Sequence, residues 1–257
     1  LAPNDWRATF YKAQILRSRA IATLQSPYPT PGLAIDAALQ KYHEAMDMVS
    51  LEIDREEHAP LHCLLGALLC EAAELPPAPH QKWRMLATQH LTRGVQDHPT
   101  WQGHFSLSQA YAGIRMPEQS LYHAELAIRF NASWQTRLGR VIALAELNKA
   151  DEAERYLNEV APELQVADAL HGLALVIRAS IANTRGQFAD ALQLCERGRQ
   201  LGFSHPDENR IRAEALCGLG RRTEALSALE PALAFDPEDP LYIRTRDQIR
   251  ALPLAGE

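Results

Sequence analysis

The chain has 257 residues, 46% of them hydrophobic and 23% charged, with 26 Lys and Arg against 32 Asp and Glu. That apolar fraction is ample for a buried core and excludes a disordered or collagen-like chain. A net charge of -6 offers no phosphate-neutralising surface, and with a mean hydropathy of -0.27 a charge or a His breaks every apolar run before it could span a membrane.

The chain opens at Leu1, without Met and without a charged-then-apolar signal segment, which reads as a processed piece of a longer protein. Nearly every segment beyond carries the helical period, and none carries sustained strand alternation. Breakers fall at Ser26 to Gly32, Pro76 to Pro79, Pro99, Pro117, Asn131, Asn148, Pro162, Gly186, Gly202 to Pro206, Gly220 and Pro237 to Pro240. Their spacing predicts about a dozen helices of roughly 12 to 20 residues, joined by loops too short to be domain linkers. In the first hundred residues, Ala38, Tyr42 and Ala45 mark the second helix of one hairpin. Ala87, Leu91, Gly94 and Pro99 mark another, lengthened by the insertion from Glu74 to His80.

From residue 101 a repeat emerges with a period near 34, the separation of Ala179 and Ala213. The last copy sets Ala213, Leu216, Gly220, Ala225, Leu229, Ala232 and Asp236-Pro237; the one before sets Ala179, Ala182, Gly186, Ala191, Cys195 and Gly198. Two earlier copies read Val141, Leu144, Asn148, Ala153, Leu157, Val160 and Ser108, Tyr111, Arg115, Ser120, Ala124, Ala127. Small residues at these intervals let paired helices approach closely, and Gly or Asn at the turn admits positive φ. Arg115 at the turn and Phe203 at the closing position depart from the scheme.

This pattern resembles the tetratricopeptide repeat family, whose unit is a pair of antiparallel helices. The resemblance implies an all-α chain, a right-handed superhelical array (an α-solenoid) of such pairs. Residues 1–100 would be divergent helical repeats, 101–240 the regular ones, and 241–257 a capping helix and tail, in one continuous solenoid.

Enzymatic chemistry finds no foothold. Gly218-Leu-Gly220 is a hairpin turn, without the strand and Lys of a phosphate loop. His43-Glu44 lacks a second His, and His58 and His62 straddle Pro60, so no metal or cofactor is expected. Cys63, Cys70, Cys195 and Cys217 make no C-x-x-C pair and read as buried thiols in a reducing compartment, which favours the cytoplasm. Arg197, Arg199, Arg210, Arg212, Arg221 and Arg222 interleave with nearly as many carboxylates, as on a salt-bridged exposed face.

What the resemblance implies is a non-enzymatic scaffold that binds a protein or peptide in the groove lined by first helices. Its residues would be Phe105, Gln109, Leu138, Ile142, Val176, Asn183 and Arg210, with Ala112, Ala145, Ser180, Glu214 and Cys217 beside them. Phe105, Leu138, Ile142 and Val176 form an apolar strip that suits an apolar or amphipathic segment. Only Asn183 and Arg210 are available to clamp a carboxylate, which disfavours an acidic tail. The competing reading is the regulatory or sensor part of a larger bacterial signalling or transcription regulator. A homo-oligomer is compatible with either, and neither involves direct nucleic-acid contact.

Overall fold

Because the repeat positions are small, paired helices can close to backbone contact, and the computed structural model shows them doing so. It describes residues 5–26, 31–165 and 167–252. The described residues form α1 (Trp6–Gln25), α2 (Pro31–Arg55), α3 (Ala59–Ala72), α4 (His80–Asp97), α5 (Trp101–Gly113), α6 (Pro117–Phe130), α7 (Trp134–Glu146), α8 (Ala150–Leu164), α9 (Asp168–Thr184), α10 (Phe188–Gln200), α11 (Pro206–Gly218), α12 (Arg222–Phe235) and α13 (Pro240–Arg250), with no strand among them. The fold is all-α, an array of antiparallel helix pairs.

Starts and stops follow local chemistry. Thr100 and Ser133 accept backbone N–H groups of α5 and α7, and Asp239 accepts those of Leu241 and Tyr242. Pro162 was expected to break a helix but lies inside α8, in its last turn: it removes one backbone bond, and the helix ends two residues later. The helix α2 reaches 25 residues, beyond the expected range, because no Pro or Gly interrupts it after Gly32. No described helix is long and apolar enough to cross a membrane.

Two compact units divide the chain, the first running to Ile114 and taking in Arg129–Asn131, the second comprising Arg115–Ile128 and continuing from Ala132. In the first, α1 pairs with α2 and α3 with α4, and α5 packs on that second pair. Its core holds Tyr42, Leu61, Leu68, Leu91 and Leu107. Arg17 pairs with Glu71, which also accepts the Tyr42 hydroxyl, tying three helices together. A Cβ on Gly94 would stand 2.8 Å from the Cys63 backbone nitrogen, so only glycine permits that crossing.

In the second unit the pairs are α7–α8, α9–α10 and α11–α12, with α13 against α12. The first helices α7, α9, α11 and α13 also touch in succession, making one continuous inner layer. Every repeat position named above for helix packing is buried except Tyr111, which is half-buried. The turns hold positive φ as the spacing predicts, at Asn148, Gly186 and Gly220. Ala225 is fully buried between paired helices. Ala225→Leu should therefore lower stability by about 1–3 kcal/mol through overpacking. Urea unfolding beside the exposed control Ala189→Leu checks this; an equal midpoint for the two variants would contradict the register.

Candidate interaction site

The inner layer of the second unit encloses a cavity of about 650 Å³. Successive first helices furnish its wall: Ala145 and Glu146 from α7, Ser180 and Asn183 from α9, Arg210 and Glu214 from α11, with Leu241 and Arg244 from α13. Phe188, Pro117 and Pro240 add apolar surface.

Arg115 organises this wall. It stands in the turn before α6 with φ 59°, the left-handed conformation that its counterparts Gly186 and Gly220 adopt without cost. Its guanidinium donates to Asp239 Oδ2 at 2.8 Å and Asp207 Oδ1 at 3.0 Å, and reaches Glu146 Oε1 at 3.5 Å. The Tyr242 ring lies beneath it, 5.2 Å from ring centre to guanidinium carbon. Asp207 is shared with Arg210 Nε at 3.2 Å, and Arg210 Nη1 donates to Glu214 at 2.6 Å. The Asp239 side chain is 1% exposed, so its charge depends on Arg115 for compensation.

These surroundings split the carboxylates. Burial pushes the Asp207 carboxyl up, yet the Arg115 and Arg210 guanidiniums outweigh it and hold the group far below the usual range. For Glu146 the balance is reversed: burial dominates over Arg115 and carries it from 4.5 up to about 7. A group whose folded pKa is raised favours the fold below its unfolded pKa, and that advantage disappears as pH rises through the folded value. Glu146→Gln, which stays neutral, should thus stabilise the protein by roughly 1–3 kcal/mol at about pH 8 and by little near pH 4.5. Thermal unfolding at both pH values decides; a gain independent of pH would mean that Glu146 does not titrate there.

The expected groove residues are dispersed. Asn183 and Arg210 line the cavity, together with Ala145, Ser180 and Glu214. Leu138 and Val176 are buried at 6% and 3% exposure in two core clusters, and Ile142 is half-buried against the first, so these three offer no open apolar strip. Phe105 is half-buried and Gln109 exposed on α5, in the first unit. The arginine cluster is not one exposed face either: Arg210 is buried and ion-paired, while Arg221 pairs with Glu224 at 2.7 Å on the surface. Glu146 and Asp239 were missed in the sequence. Asp239 had a visible signal, an Asp just before a Pro that starts a helix. Arg115 had another, a large charged residue where the turn wants Gly.

Other candidate chemistry resolves simply. His58 stacks on Trp6, and His62 meets His90 with their Nδ1 atoms 2.9 Å apart. Among the described residues no group of three or more His, Cys, Asp or Glu is placed to hold a metal. All four cysteines are free, and burial raises the Cys63 thiol to about 11 and the Cys195 thiol to about 12.

With this geometry, two solved structures are instructive. A tetratricopeptide repeat protein from Parabacteroides merdae is similar over 95% of this chain and 98% of its own, with a TM-score of 0.61 at 12% identity. A chain of the Cut9–Hcn1 hetero-tetramer of the APC/C is similar over 98% of this chain, with a TM-score of 0.57 at 15% identity; this chain spans 54% of its length. The fold is that of the tetratricopeptide-repeat proteins. No protein-family model matches the sequence, and no curated protein matches it.

Proposed function

We propose that this protein is a non-enzymatic interaction scaffold whose recognition surface is the cavity of the second unit. The observation that carries this reading is the wall itself: three successive first helices, α7, α9 and α11, each contribute residues to one concavity. Such clefts, with apolar surface and a few convergent polar groups, are where ligands and peptide segments bind. The segment is amphipathic rather than purely apolar, since Phe188, Pro117, Pro240 and Leu241 share the wall with Glu146, Asn183, Arg210 and Glu214. An acidic tail is disfavoured because Arg210, the cation that would clamp it, is already committed to Asp207 and Glu214.

A photo-crosslinking amino acid at Ser180 tests the reading in cells of the source organism, with Glu159, exposed on the second helix α8, as control. A discrete adduct from position 180 alone is expected. No adduct, or the same adduct from both positions, would rule the cavity out as the recognition surface.

A further inference from the structure

Away from the cavity, a pair of imidazoles joins two helices of the first unit. His62 lies on α3 at 3% exposure, and His90 lies half-buried on α4. Their Nδ1 atoms are 2.9 Å apart, and the rings stand 24° from parallel with centres 5.1 Å apart. The centre spacing exceeds the Nδ1 spacing by the radii of the two rings, so they meet edge to edge and the N–H of one aims at the lone pair of the other. Such a bond holds a single hydrogen: one Nδ1 carries it and the other is bare. Glu57, from the link between α2 and α3, decides which. Its Oε1 lies 3.8 Å from His62 Nε2, a buried atom with no hydrogen-bond partner. A bare Nε2 would set its lone pair against that carboxylate, so the proton sits on Nε2 and His62 accepts at Nδ1 from His90.

Few other charges act on the pair. Arg93 of α4 donates to Glu57 at 3.1 Å and opposes a positive charge on either ring. In the same link Glu56 pairs with His58, whose ring stacks on Trp6 of α1, and Asp5 pairs with Arg7 where α1 begins. Glu52 and Arg55 of α2 pair with each other, while Asp54 of α2 and Asp97 of α4 are exposed. The helix α5 carries no Asp, Glu, Lys or Arg, and its His104 stacks on Phe130.

We propose that the His62–His90 contact is an acid-sensitive latch on the α3–α4 pair, closed while His62 is neutral and opened when its Nδ1 takes a proton. A first proton can go to His90 Nε2, which leaves the His90 Nδ1–H donating and the bond intact. A proton on His62 Nδ1 has no such outlet, because two hydrogens would then face each other across 2.9 Å. Burial holds both imidazoles below their ordinary value, and Arg93 adds to this against the pull of Glu57 on His62. An opened α3–α4 pair therefore binds more protons than a closed one below about pH 6.5. The latch is fully closed at neutral pH and is lost progressively as pH falls below that value. It lies in the first unit and stands independently of the cavity.

Hydrogen exchange of the full chain at about pH 7.5 and about pH 5.5, corrected for the intrinsic pH dependence of exchange, tests the latch. The helices α12 and α13 contain no histidine and serve as reference. One histidine held neutral makes opening about tenfold easier across that interval, so protection of α3 and α4 should fall about tenfold more than that of the reference. His62→Asn keeps an acceptor opposite the His90 Nδ1–H and takes no proton, so this excess should vanish in the variant. An equal excess in parent and variant, or none in the parent protein, would overturn the latch. Ring-nitrogen NMR of the parent protein reads the same states should the variant fail to fold. At neutral pH His62 should carry its proton on Nε2 and His90 on Nδ1, and both should titrate below the ordinary histidine value. Independent titration of the two rings near pH 6.5 would refute the proposal as well.

Discussion

Replacing Arg115 with Met is expected to cost about 3–5 kcal/mol, the loss typical when one partner of a buried ion network is removed. The Met side chain can fill much of the same space, so the loss is one of charge rather than of volume. It strands Asp239, which is 1% exposed and caps α13, and it removes one of the two guanidiniums that compensate Asp207. The backbone sharpens the prediction. At φ 59° a side chain with a Cβ carries strain on the order of 1–2 kcal/mol that glycine does not. Arg115→Gly relieves that strain but also empties the space that Met fills, so its loss should be at least as large as that of Arg115→Met. Arg115→Met combined with Asp239→Asn should recover part of the loss, because the stranded charge disappears with it. Equilibrium urea unfolding gives all three values. If Arg115→Met falls within about 0.5 kcal/mol of the parent protein, the network is a surface decoration and not a structural hub.

What the sequence disclosed follows from the range of the interactions involved. The repeat positions from Ser108 to Ala232 are local and periodic, because helix pairing needs a small residue at the same place in each copy; they could be read from spacing alone. Turn conformation was legible for the same reason at Asn148, Gly186 and Gly220, where one residue type answers one backbone angle. The wall of the cavity obeys no period. Arg115 meets a residue 124 positions away in Asp239 and one 92 away in Asp207, and nothing local marks such a pair. The apolar strip illustrates the converse error. Helical register alone places Leu138 and Val176 on the groove, yet both are buried in core clusters, so position along the helix decides as much as face does. Asn183 and Arg210, from the same transferred register, fall on the open side.

The placement of Leu138 supplies the second large effect. It is 6% exposed and packs in a cluster with Val141, Leu144, Leu157, Val160 and Leu164, all on the α7–α8 pair. Truncating it removes three carbons from the seam between those helices and leaves a void that the surrounding helices can only partly close. Leu138→Ala should consequently cost about 2–5 kcal/mol. Ile142 leans on the same cluster but is half-buried, so Ile142→Ala should cost less. Leu138→Met, which conserves volume, should stay below about 1.5 kcal/mol and shows whether the loss comes from the void. Urea unfolding of the three variants sets their order. A near-silent Leu138→Ala would place that face of α7 in solvent and restore the apolar strip as a docking floor, whereas the expected loss keeps Leu138 in the core.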